Sequence, residues 1–180
     1  MKTLVIHPQD YTTDVLSLIY KDKKNWTIIN DCNISNDELT EQIKQHDRII
    51  IMGHGSPNGL FNPVNPGFLI DKRHVFYLRQ KKNNVYIWCN ADQFIKTHNL
   101  KDCFYTGMII SEKSEAVFCG VNSTLEEVNR SILLFSESIR DNIDLLEPKL
   151  MCENVISQYN IDYYENSNVM EYNRKRIYFS

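Results

Sequence analysis

Apolar residues along this chain fall in short contiguous runs separated by segments of helical periodicity. The runs are Thr3–Ile6, 26–29, Ile49 to Met52 and 85–89 (Val-Tyr-Ile-Trp-Cys). Contiguity rather than strict alternation is what a central parallel strand shows when both of its faces are covered. Between the runs, Val15, Leu16 and Ile19 are spaced for a helix over 12–21. Ser35 and Glu38 form a capping box, with Ile34 and Leu39 placed as a hydrophobic staple, so a second helix opens there with Leu39 and Ile43 as its apolar face. Asp71 is expected to cap a third helix whose inner face is Val75 and Leu78, and Phe94 with Ile95 marks a short helix after Cys89.

Further along, 107–110 reads as a fifth strand, and 115–120 reads either as one more short strand or as the approach to a helix. Ser123 and Glu126 fit a second capping box ahead of the longest periodic segment, in which Leu125, Val128, Ile132, Phe135 and Ile139 recur at spacings of 3 and 4 over 123–142. Pro148 is expected to stop any continuation. From Ile161 a polar, tyrosine-rich tail follows, with an edge strand predicted at 176–179. Strands alternating with helices define an α/β protein, a three-layer α/β/α sandwich with a mainly parallel sheet of flavodoxin-like topology. No repeat or linker divides the 180 residues, so one domain is expected over the whole length.

Composition changes this picture little. A hydrophobic share of 42% beside 24% charged residues is that of a globular chain. A formal charge of -3 with scattered Lys and Arg offers no basic stripe for nucleic acid. No apolar stretch approaches the roughly 18 residues of a membrane span, and His7, Gln9 and Asp10 interrupt any secretion signal, so a soluble, cytoplasmic protein without nucleic-acid or membrane partners is expected. Five cysteines, with no C-x-x-C pair, argue against both a disulfide framework and a metal site, and nothing in the sequence asks for a cofactor.

The candidate chemistry sits at two strand ends. The run 48–52 stops at Gly53-His54-Gly55, and the next run stops at Cys89. In an open parallel sheet the carboxyl ends of the strands share one edge, where ligands bind, so His54 and Cys89 are expected to meet there. A cysteine nucleophile works as its thiolate, and an adjacent imidazole is the usual means of generating it. On this reasoning Cys89 is expected to be the most reactive of the five thiols, with His54 as the cause. The N–H of Gly55 is a candidate oxyanion donor, and that of Cys89 a second. Asp10, Asp31 and Asp92 should lie near the same edge, where an acidic group can hold a basic substrate side chain, although turn and helix-cap roles fit all three. His7 also ends a strand, but His-Pro reads more simply as a turn. Residues 56–72 are rich in Pro and Gly and are read as a hairpin or flap over the edge.

An apolar strand ending in His-Gly, a turn-rich hairpin, a helix and a strand ending in Cys resemble, in that order, the caspase-like cysteine peptidases, which include caspases, gingipains, clostripain, separase and CHAT domains. The order of elements covers residues 1–143. The resemblance implies a clan CD hydrolase, an endopeptidase with a His54–Cys89 dyad, Gly55 in the oxyanion hole and a peptide or protein substrate. The family usually has a small residue before its Cys and often a glycine soon after, where this chain has Trp88 and Asn90-Ala91-Asp92. The alternative is a non-catalytic, flavodoxin-like binding module that holds a nucleotide or a protein partner at the same edge, using the glycine-rich stretch 53–59 as a phosphate cradle.

Overall fold

The computed structural model describes residues 1–8, 10–159 and 167–180. In chain order its elements are β1 (Thr3–Ile6), a 3-10 helix (Asp14–Ile19), β2 (Thr27–Ile29), α1 (Asn36–Gln45), β3 (Arg48–Met52), β4 (Gly55–Ser56), β5 (Gly59–Phe61) and β6 (Phe68–Ile70). There follow a 3-10 turn (Lys72–His74), α2 (Val75–Leu78), β7 (Asn84–Ile87), α3 (Ala91–His98), β8 (Cys103–Thr106) and α4 (Lys113–Phe118). The chain closes with α5 (Leu125–Asn142), α6 (Pro148–Gln158), α7 (Asn168–Arg174) and β9 (Ile177–Phe179).

Six strands form one sheet in the order β2-β1-β3-β7-β8-β9, all parallel except β9, which runs antiparallel beside β8. Every residue of β1, β3, β7 and β8 is buried. The contiguous runs still obey a period of two, since successive side chains leave a strand on opposite faces. Val5, Ile50, Met52, Val85, Ile87 and Phe104 join one core with the first 3-10 helix and α4 to α7. Leu4, Ile6, Ile49, Ile51, Tyr86 and Cys103 join the other with α1 to α3. The architecture is therefore a three-layer α/β/α sandwich with a mostly parallel sheet, and no helix among the described residues is long and apolar enough to cross a membrane.

Several elements differ from the sequence reading for identifiable reasons. The fifth strand lies at 103–106 rather than 107–110, because Met108 to Ile110 leave the sheet edge. Asn173 on α7 takes the place of a ladder partner there: its Oδ1 accepts from Ile110 N at 2.7 Å and its Nδ2 donates to Ile110 O at 2.9 Å. Segment 115–120 holds the second half of α4 and the turn that follows it, so no strand forms there. The second capping box is shifted by one residue, with the Thr124 hydroxyl accepting from Glu127 N and the Glu127 carboxylate accepting from Thr124 N. Pro148 opens α6 at its first turn, where the missing N–H costs nothing, instead of ending a helix. The predicted strand at 176–179 is present as β9, whereas the part of the polar tail over 161–166 lies outside the described residues.

Candidate active site

His54 and Cys89 are brought together by strand register. β3 and β7 are adjacent and parallel, their last paired residues are Met52 and Ile87, and Gly53 N donates to Ile87 O at 3.0 Å. His54 and Cys89 each stand two positions beyond that pair, hence at the same level of strands about 4.8 Å apart. Both line one cavity of about 40 Å³ with Ile87, Thr12, Thr106, Ser111 and Glu115. That space holds one or two waters rather than a side chain. His54 also lines a separate cleft of about 200 Å³ with Pro8, Asp10, Phe61 and Pro63.

Trp88, the residue before Cys89, packs into the core on the opposite side of the sheet. Trp88 is buried there in a run of edge-to-face rings, Tyr86 at 5.7 Å, then Phe94 at 5.5 Å. Its indole N–H donates to Ser56 O at 3.1 Å, which ties the β7 end to β4. This fixes the residue at position 55: a Cβ there would stand 2.3 Å from Trp88 Cδ1 and 2.6 Å from Gly59 O. Beyond Cys89 the chain turns sharply into α3 through Asn90, whose φ of +66° is the left-handed conformation that a glycine commonly supplies and that asparagine tolerates. The bulky Trp88 and the Asn90-Ala91-Asp92 sequence thus each have a local structural reason.

The 56–72 segment is not a free flap. β4, β5 and β6 form a three-stranded antiparallel sheet, Leu60 and Ile70 are fully buried in the core beside α1 to α3, and Asn62 donates to Cys32 O at 2.7 Å. The glycine-rich stretch 53–59 opens this hairpin rather than a helix, so no helix N-terminus stands behind it. Gly55 pairs with Leu60 while Phe61 N donates to His54 O, an arrangement in which the Gly55 N–H points away from β5.

The loop after β1 holds the imidazole. Thr12 Oγ1 lies 2.6 Å from His54 Nε2 and 2.8 Å from Asp10 Oδ1, Thr12 N donates to the same carboxylate oxygen at 3.0 Å, and Asp10 Oδ2 is 3.8 Å from His54 Nε2. Partial burial works against the Asp10 carboxylate, but the two Thr12 donors and the neighbouring histidines hold its pKa below the ordinary value. His7 lies beneath this loop rather than in the cavity. Its Nδ1 is 2.9 Å from the Tyr20 hydroxyl and its Nε2 is 3.2 Å from Thr13 Oγ1, which donates to Asp10 O. Burial pushes the His7 pKa down to about 4 despite Asp14 and Asp10 nearby, so it serves as a neutral brace for the Asp10 to Thr13 turn.

Of the predicted acidic residues only Asp10 reaches the site. Asp31 is exposed and closes a turn by accepting from Asn33 N at 2.8 Å, while Asp92 pairs with Lys96 at 2.9 Å on α3. The sequence reading missed Thr12, Ser111 and Glu115. Glu115 Oε2 accepts from Ser111 N, Ser111 Oγ and Glu112 N at 2.7, 2.9 and 3.1 Å, and the S-E-x-x-E spacing of a capping turn was its only signal.

The resting thiol is not the activated one that the sequence reading expected. No hydrogen bond joins Cys89 to His54 among the described residues. Burial, then the Glu115 carboxylate and Cys119, push the Cys89 thiol up to about 12; its own backbone N–H opposes them. Cys32, Cys103 and Cys152 are buried, and Cys89 and Cys119 are half-buried. A scan against protein-family models gives no match, and a search of curated proteins finds no relative.

Proposed function

We propose that this chain is a cysteine peptidase of caspase-like type, with Cys89 as nucleophile and His54 as general base. The observation that carries the reading is the common register of the two residues, two positions past the Met52 and Ile87 pair on adjacent strands and lining one cavity. The order of elements on which the family resemblance rests, a His-Gly strand end, a hairpin, a helix and a Cys strand end, is also the order in the fold. Five free thiols suit a reducing, cytoplasmic setting.

On this reading a peptide lies in the cleft beside Pro8, Phe61 and Pro63, with its scissile carbonyl turned toward Cys89. Sγ attacks the carbonyl carbon as its proton passes to His54, the Gly55 N–H takes the developing oxyanion, and the proton is then given to the leaving amine. Water next attacks the thioester, giving its proton to His54, and the acid product leaves as the thiol is restored. Because the thiol is protonated at rest, His54 acts at the moment of attack rather than holding a preformed ion pair.

The test is cleavage of a mixture of peptides of diverse sequence, read by mass spectrometry of the new termini. The wild-type protein is expected to cut at a restricted set of sites and Cys89→Ala and His54→Ala to cut at none. Cutting that persists in Cys89→Ala, or a folded wild-type protein that cuts nothing, refutes the proposal.

A further inference from the structure

We infer that Asp10 and Thr12 are positioning residues that fix a proton on His54 Nε2 and so leave Nδ1 as the nitrogen that exchanges protons with Cys89. The inference rests on the proposed peptidase reading for its catalytic meaning, but its structural content does not.

The argument follows the single hydroxyl proton of Thr12. A carboxylate only accepts hydrogen bonds, so at 2.8 Å from Asp10 Oδ1 the Thr12 hydroxyl is the donor. Its oxygen can then meet His54 Nε2, 2.6 Å away, only as an acceptor, and Nε2 must carry the hydrogen. A neutral imidazole has one N–H, so Nδ1 holds the free lone pair, and among the described residues it has no hydrogen-bond partner. The neighbouring turn repeats the device. Thr13 Oγ1 gives its proton to Asp10 O, which makes His7 Nε2 the donor to Thr13 and leaves His7 Nδ1 to accept from the Tyr20 hydroxyl.

When His54 takes a proton at Nδ1, the charge that forms lies 3.8 Å from Asp10 Oδ2 and is already hydrogen-bonded through Thr12. Nothing has to reorient as that charge appears, which is the condition for an electrostatic contribution to the transition state. With Thr12 N and Oγ1 on the same carboxylate, Asp10 is committed to this loop rather than to holding a substrate side chain.

Imidazole nitrogen and proton NMR of ¹⁵N-labelled protein tests the chain directly. A His54 Hε2 resonance protected from solvent exchange is expected in the wild type, lost in Thr12→Val and restored in Thr12→Ser. Should Thr12→Val not fold, Asp10→Ala reads the same chain, since it frees the Thr12 hydroxyl to donate to Nε2; the resonance is again expected to disappear. A protonated Nδ1 in the neutral ring, or an Hε2 signal unchanged in either variant, overturns the inference. Kinetically, Asp10→Asn is expected to lower kcat on the order of tenfold with KM little changed, whereas a raised KM at constant kcat would assign Asp10 to the substrate instead. A protein that shows the Hε2 signature and cuts no peptide refutes the peptidase reading and leaves this chain standing; cutting without the signature does the reverse.

Discussion

Alkylation of Cys89 as a function of pH is the measurement on which the resting chemistry of the site turns. Its thiol is moved from an ordinary 9.0 to about 12, first by burial and then by Glu115 and Cys119. At neutral pH that difference lowers the thiolate fraction about a thousandfold relative to an ordinary cysteine, since each pKa unit is a factor of ten. Only the thiolate reacts, so iodoacetamide followed by peptide mapping should label Cys89 far more slowly than a thiol of the unfolded chain, although Cys89 is half-buried rather than fully enclosed. Glu115→Gln should speed Cys89 labelling by only a few-fold, because the carboxylate is the lesser cause. If Cys89 instead reacts at pH 6 to 7 faster than a thiol of the unfolded chain, and His54→Ala abolishes that advantage, the protonated resting state is refuted and a preformed ion pair takes its place.

Two further outcomes follow from the packing around the site. Gly55→Ala should destabilise the fold by about 3 kcal/mol in urea denaturation, because a Cβ would stand 2.3 Å from the buried Trp88 ring and 2.6 Å from Gly59 O; a loss below about 0.5 kcal/mol would show that the hairpin is looser than described. His7 must be neutral in the fold but charges near 6.5 in the unfolded chain, so between pH 6.5 and about 4 the unfolded state binds more protons and stability falls as pH falls. The loss should approach roughly 3 kcal/mol below pH 4, and a His7 ring that titrates by NMR near 6.5 would sink the account.

What could be read in the sequence was what local pattern determines. The apolar runs ending in His54 and Cys89 announced adjacent strands because contiguity reports burial on both faces, and the Ser35 cap was legible because its partners are three residues apart, with the Ser35 hydroxyl accepting from Glu38 N. Elements held by distant partners were not legible. Met108 to Ile110 look like a strand, yet their backbone is satisfied by Asn173, 63 residues from Ile110. The helix α6 carries no strong apolar stripe, and a proline was read as a stop when it stood at a start. At the site, the strand ends were visible, but the Thr12 to His54 contact spans 42 residues, and nothing in Thr12-Thr13 distinguishes a proton-fixing turn from an ordinary one.

Burial explains both why the pair looks idle at rest and why the surrounding dipoles are placed as they are. The contiguous apolar residues that bring β3 and β7 together also leave room for little water in the cavity at their ends, and so small a cavity penalises a thiolate whatever base stands near it. On the proposed reading the charges then appear only as the carbonyl is attacked, positive on His54 and negative on the oxyanion. Each has a fixed counterpart already in place: the Asp10 carboxylate behind Thr12 for the first, and the Gly55 N–H, turned away from β5, for the second. In the same low-dielectric cavity these fixed groups are worth more than they would be in water. Desolvation that suppresses the thiolate of the empty site therefore strengthens the interactions that favour the transition state, so labelling of the resting thiol and turnover of a peptide should vary in opposite directions when the cavity is made wetter. A polar substitution in its apolar wall, Ile109→Thr for example, should speed Cys89 alkylation and slow cleavage; if both rise together, the thiolate supply rather than the fixed dipoles limits the reaction.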